Sequence, residues 1–99
     1  MSTPLNENQI SQSLTELSGW SYDDSKITKK YHFKHFKEAV SFIVRIAFEA
    51  EAVNHHPTIK NTYNVVKISL NTHDAGNKVT EKDIDMAKRI EHLAWTDKA

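Results

Sequence analysis

A chain of 99 residues with thirteen basic side chains, thirteen acidic ones and no cysteine already rules out several classes of protein. The length suits one compact domain over residues 1–99; the cancelled charge leaves no basic excess for a phosphate backbone, so nucleic acid is not expected as a direct partner; and the missing thiols remove disulfides, thiolate nucleophiles and cysteine-based zinc sites, which fits a reducing cytoplasm. Hydrophobic residues make up 38% of the chain, a thin core of the kind small proteins often supplement by oligomerising, so self-association is expected.

The opening "MSTPLNENQISQSL" has neither a basic start nor an apolar run and does not read as a secretory signal. "NENQISQSLTELSG" reads as a first helix, with Ile10, Leu14 and Leu17 at helical spacing and Gly19 as its stop. In "WSYDDSKITKKYHFKHF", Asp23-Asp24-Ser25 marks a turn. Ile27, Tyr31 and Phe33 share one parity there, and Thr28, Lys30, His32 and Lys34 the other, which predicts a hairpin with one buried face.

From Phe36 the period lengthens. Phe36, Ala39, Val40, Ile43, Ala47 and Ala50 follow helical spacing, and Phe42, Ile46 and Phe48 widen the stripe, so this helix is expected to be largely buried. It carries Arg45 and Glu49, and is too short and too charged to span a bilayer, so no membrane association is expected. Pro57 disfavours a helical His56, which puts the helix end near residues 51–55. "TIK" then reads as a short strand, "NTYN" as a turn, and "VVKISLNT" as a strand with Val66, Ile68 and Leu70 inward. "HDAGNK" is a loop. Thr80 and Asp83 resemble a capping box opening a last helix with Ile84, Ala87, Ile90, Leu93 and Ala94 on one face. The order is α-β-β-α-β-β-α, an α+β two-layer fold with a four-stranded antiparallel sheet and helices packed on one face. The other face is less apolar, and an edge strand is available for pairing between copies.

Candidate chemistry gathers in Glu51–Asp83. Glu51 and His55 are four apart, so a helix reaching His55 would place them side by side. A carboxylate there fixes the imidazole's orientation and tautomer and favours its charged form, as does the helix C-terminal dipole. His56 must diverge, held by Pro57. The hairpin at "NTYN" returns His73 towards the level of Pro57, so the three imidazoles can share one cleft. Bland alternatives stand beside this one. Adjacent histidines are common on surfaces, and three histidines can bind zinc, although the His-x-x-x-His helical spacing is absent. Asp74 and Asp83 read as a loop turn and a helix cap; Asp74, next to His73, is also a candidate supporting group. His32, His35 and His92 have no clustered partners, and Trp20 and Trp95 read as packing residues.

Glu51-x-x-x-His55-His56-Pro57, followed by Tyr63, His73 and Asp83, resembles the signature of the pterin-4a-carbinolamine dehydratases. "FKHFKEAVSFIVRIAFEAEAVNHHP", "LNTHDAG" and "TEKDIDMAKRIE" resemble that family's central helix and the segments after the motif, so the likeness runs from Trp20 to about Leu93. Two departures are visible. Ile59 stands where an aromatic residue is frequent, and "DAGNKVT" replaces a Gly-Gly-Leu-Thr type of loop.

The resemblance implies dehydration of 4a-hydroxytetrahydropterin to quinonoid dihydropterin, which recycles the cofactor of aromatic amino-acid hydroxylases. It implies neither metal nor redox cofactor. His55 and His73 would transfer protons, and His56 would contact the pterin and complete the catalytic set. Glu51 would orient His55, and Pro57 would line the substrate site. Which histidine is the acid stays open. The family also implies a homodimer or homotetramer. The alternative is a non-catalytic dimerisation cofactor or assembly factor acting through protein contacts, a role for which a scaffold has no need of Glu51, His55, His56 and His73 together.

Overall fold

The computed structural model describes residues 3–95; residues 1–2 and 96–99, the ends of the expected 1–99 domain, lie outside the described residues. Helix α1 (Glu7–Leu14) opens on a capping box. Asn6 Oδ1 accepts from the Gln9 N–H at 2.8 Å, and Gln9 Oε1 accepts from the Asn6 N–H at 2.8 Å. The helix stops at Leu14 rather than continuing to Gly19. The Thr15 hydroxyl donates to the Gln12 carbonyl at 2.7 Å, and tighter three-residue turns then bring Leu17 and Trp20 into the core. Gly19 is required where it stands: its φ is +84°, and a Cβ would lie 2.8 Å from Lys29 Cε.

Strands β1 (Ser21–Asp23) and β2 (Lys26–His32) form the expected hairpin. Asp24 and Ser25 both take positive φ, 51° and 63°, the conformation that a two-residue connection between right-twisted strands favours. Helix α2 (Phe36–Val53) follows, then β3 (Thr58–Thr62), β4 (Val65–Leu70), a 3-10 turn (His73–Ala75) and helix α3 (Glu81–Leu93). Most of "NTYN" belongs to strand and turn together: Asn61 and Thr62 pair with Val66 and Val65, and Tyr63 turns with φ +50°.

The sheet order is β1-β2-β4-β3, antiparallel throughout. Ile27, Tyr31, Val66, Ile68 and Leu70 face the helices and meet Phe42, Ile46, Ile84 and Ile90 in one continuous core. The fold is the expected α+β arrangement. One expectation fails. Only the Ala39, Phe42, Ile46 and Ala50 side of α2 is buried, whereas Phe36, Val40, Val44 and Phe48 are 52%, 38%, 49% and 74% exposed. A helix resting on a sheet can bury one stripe, and this helix is apolar on a second.

A polar network closes the layer near the end of α3. Glu91 accepts from Lys29 Nζ at 2.9 Å, from the Tyr31 hydroxyl, and from Trp20 Nε1 at 3.4 Å. Lys29 Nζ also donates to the Ser18 carbonyl at 2.8 Å. Burial, then the neighbouring Glu91 carboxylate, pushes the Tyr31 phenol far above the ordinary tyrosine range.

Candidate active site

The site begins where α2 ends. Asn54 adopts the left-handed conformation (φ 52°, ψ 46°). The His55 N–H then reaches back to the Ala50 carbonyl at 3.1 Å, while the Asn54 N–H donates to the Glu51 carbonyl at 3.4 Å. This pair of bonds satisfies the last carbonyls and turns the chain sharply out of the helix, and Pro57 just beyond prevents it from resuming. His55 and His56 therefore leave the helical register.

That exit corrects the expected pairing of Glu51 with His55. Glu51 Oε2 lies 2.6 Å from His56 Nε2 instead, in an exposed pair. His55 swings inward to α3, where its Nε2 lies 2.6 Å from Asp83 Oδ1. Its side chain is 12% exposed and that of Asp83 is 0% exposed. Asp83 is the carboxylate of the α3 capping box, as its spacing from Thr80 predicted, and it does a second job as the partner of His55.

The directions of the protons around Asp83 follow from valence. A carboxylate only accepts. Its Oδ2 receives the Thr72 hydroxyl and the Thr80 N–H, each at 2.8 Å. Thr72 Oγ1 has spent its proton on Asp83, so at 2.7 Å it accepts from the Thr80 hydroxyl. Thr80 Oγ1 in turn accepts from the Lys82 N–H at 3.2 Å. Every group in this buried chain is satisfied, and Oδ1 remains for the His55 Nε2–H. The arrangement thus fixes the His55 tautomer and leaves Nδ1 without a hydrogen-bond partner among the described residues.

His73 lies past the end of β4, at the start of the 3-10 turn rather than at a strand tip. A backbone bridge between Thr72 and Lys78 ties the base of this loop. His73 Nδ1 is 3.2 Å from Asn77 Oδ1, so its proton sits on Nδ1 and its Nε2 has no protein partner among the described residues. Asn77 itself needs φ +61° to reach back.

The structure brings His55, His56 and His73 into the wall of one cavity of about 220 Å³, completed by Asn54, Asn71, Thr72, Asp74 and Lys82. Asp74 stands in the wall, but among the described residues no hydrogen bond joins it to a histidine. Pro57 is outside the wall; its place is the turn that aims the two histidines. Asn54, Asn71, Thr72 and Lys82 in the wall, with Asn77 and Asp83 behind the histidines, are groups that the sequence did not assign to the site. Asp83 carried a signal, since it stood in both the capping box and the motif. Among the described residues no group of three or more His, Cys, Asp or Glu side chains is disposed to hold a metal ion.

The fold and the site define a small α+β protein with three imidazoles around one cavity, each hydrogen-bonded at one nitrogen. The chain belongs to the pterin-4a-carbinolamine dehydratase family: the family described as "Pterin 4 alpha carbinolamine dehydratase" matches residues 3–93. A relative from Opitutus terrae carrying the family's name is 50% identical over 95 residues, spanning 96% of this chain and 98% of the relative. One from Sulfolobus acidocaldarius is 43% identical over 89 residues, spanning 90% and 97%. The crystal structure of a Brucella melitensis protein described as a transcriptional coactivator/pterin dehydratase superposes with a TM-score of 0.88 at 38% identity, covering 93% of this chain and 99% of that one. A pterin dehydratase-like protein described as a RuBisCO assembly factor of the alpha-carboxysome shares the fold, with a TM-score of 0.63 at 21% identity over 81% and 92% of the two chains.

Proposed function

We propose that the protein is a hydro-lyase that removes water from a 4a-hydroxytetrahydropterin, giving the quinonoid dihydropterin. The observation that carries this reading is the asymmetry of the histidines around one cavity: His55 is backed by a buried carboxylate, His73 by a neutral amide. In the reaction the C4a–O bond breaks, the hydroxyl leaves as water, and the N5 proton departs as a C4a=N5 double bond forms. An acid must supply a proton to the leaving hydroxyl, and a base must take one from N5.

His55 suits the acid. When its Nδ1 is protonated the ring carries a charge, and Asp83 balances that charge at 2.6 Å. His73 suits the base, because the Asn77 bond keeps the proton on Nδ1 and exposes the Nε2 lone pair. His56, braced by Glu51, and Lys82 contribute polar contacts at the rim. The cycle closes without net change on the protein if solvent carries a proton from His73 back to His55. In the cell this activity would supply, as a cytoplasmic enzyme, the quinonoid dihydropterin that a separate reductase must reduce by two electrons to regain the tetrahydropterin used by aromatic amino-acid hydroxylases.

The test is the decay in absorbance of the carbinolamine generated in situ. His55→Ala and His73→Ala are each expected to lower kcat by about 10²–10⁴-fold, with unchanged far-UV circular dichroism. Parental rates in both variants would end the reading.

A second reading is favoured by the exposed α2 stripe. Phe36, Val40, Val44 and Phe48 repeat every four residues along one face, and such a face suits a helix-on-helix contact. A second copy of the chain, giving a homodimer or homotetramer, is the occupant proposed here. A dimerisation-cofactor or assembly role would use the same face.

A further inference from the structure

On the uncovered side of the sheet, the register sets three lysines abreast: Lys30 opposes Lys67, and Lys67 opposes Lys60. Their neighbours Lys29, Tyr31, Val66 and Ile68 are buried on the helical side, so the three point the other way. Like charges directly opposite one another on adjacent strands repel. Among the described residues none of the three forms an ion pair. The rows to either side offer no carboxylate, being Thr28, Ser69 and Thr58 on one flank and His32, Val65 and Thr62 on the other. Among the described residues this row is therefore uncompensated.

The row is also part of a concavity. Lys30, Lys60 and Lys67 line a cavity of about 420 Å³ with Thr62, Tyr63, Asn64 and Val65. It shares no lining residue with the histidine cavity. Tyr63, held at positive φ in the β3–β4 turn, is 63% exposed there.

We propose that this face is a second ligand site, for a compact oligophosphate ester carrying a planar ring, of the nucleoside di- or triphosphate class. Three cations abreast span two strand spacings, about 10 Å, which fits one short phosphate chain. The neutral net charge offers no basic track for a long polymer. The phosphates lie on the ammonium row, and the ring lies on Tyr63, whose side chain is free to stack. The volume is that of a small-molecule pocket rather than a macromolecular groove.

Isothermal titration of the full chain with inorganic tripolyphosphate and with ATP separates charge from ring. The expected result is saturable binding of both that weakens as salt is raised, with ATP the tighter. Lys67→Ala loses about tenfold for both probes, and Lys30→Ala/Lys60→Ala/Lys67→Ala abolishes binding. Tyr63→Ala removes the advantage of ATP. Each variant keeps the parental rate of carbinolamine decay, because none of these residues lines the histidine cavity. If the triple variant fails to fold, Lys30→Gln and Lys60→Gln alone supply the same comparison. Absence of saturable heat with tripolyphosphate, binding retained by the lysine variants, or tighter lysine-dependent binding of a short oligothymidylate than of ATP would each overturn the proposal.

Discussion

Asp83→Asn separates what Asp83 does for the fold from what it does for His55. The carboxylate accepts on both oxygens: Oδ2 takes the Thr72 hydroxyl and the Thr80 N–H, and Oδ1 faces His55 Nε2. Asparagine has one oxygen and one NH₂. Two donors converge on the Oδ2 side, so the amide oxygen settles there and preserves the cap. The NH₂ then points at His55 Nε2, which must become an acceptor. The ring proton moves to Nδ1, and the tautomer is reversed. Three charge-assisted bonds, the His55 bond and the two at the cap, become neutral ones, a loss of about 1–3 kcal/mol, and each kcal/mol lowers Tm by about 4–8 °C for a chain this small.

Catalysis should lose far more. A positioned acid contributes about 10²–10⁴-fold, which is about 2.7–5.4 kcal/mol of barrier. The substituted chain is expected to keep KM, since His56, His73 and Lys82 are untouched, and to lose kcat by at least about a hundredfold. Absorbance kinetics of carbinolamine decay give the split, and ¹⁵N shifts of the imidazole report the tautomer. Glu51→Gln is the control: its pair with His56 is exposed, and such pairs are worth about 0–1 kcal/mol, so kcat should change less than about fivefold. A kcat for Asp83→Asn within about twofold of the parent, with His55 Nε2 still protonated, would refute the argument.

Three other outcomes follow from the packing. Gly19→Ala forces a side chain into positive φ and against Lys29 Cε, a lysine whose Nζ is committed to Ser18 and Glu91. Chemical denaturation should show a loss of about 1–3 kcal/mol. Tyr31 has its folded pKa raised, so the native chain keeps that proton where the unfolded chain gives it up. Stability is therefore full below about pH 10 and declines above it by up to about 1.4 kcal/mol per pH unit; Tm scans should show Tyr31→Phe less sensitive to alkali than the parent. Val44→Lys on the open side of α2 removes apolar surface from a helix face left exposed among the described residues. Gel filtration should show smaller particles with carbinolamine decay per active site conserved when the chain remains folded, and an unchanged elution volume would count against α2 as the contact between copies.

Which parts of this molecule could be read from its residues depends on the distance over which each signal acts. Alternation at Ile27, Tyr31, Val66, Ile68 and Leu70 located the covered face of the sheet, because strand parity is local and one side is solvated. The double turn signal at Asp24 and Ser25 placed the first hairpin for the same reason. The end of α2 was legible in part. Pro57 bounded it, but the decisive residue is Asn54, one of the few types that adopts the left-handed C-terminal conformation readily, and its effect is to send His55 and His56 to different carboxylates. The partner of His55 lies 28 residues away; no spacing rule reaches that far, so the nearby Glu51 took its place in the sequence reading.

The second apolar stripe of α2 shows the opposite limit. Phe36, Val40, Val44 and Phe48 carry the same periodic signal as the buried set, because a pattern records what prefers to leave water and not which surface will receive it. The site and the stripe are in this sense complementary. Asp83 serves the helix cap and His55 with the same carboxylate, so the placement of His55 is anchored to an element the fold needs in any case. The outer stripe of α2 serves nothing within the described chain, and the thin core explains why an additional apolar contact would be useful: a protein this small gains from another copy some of the burial its own length cannot supply.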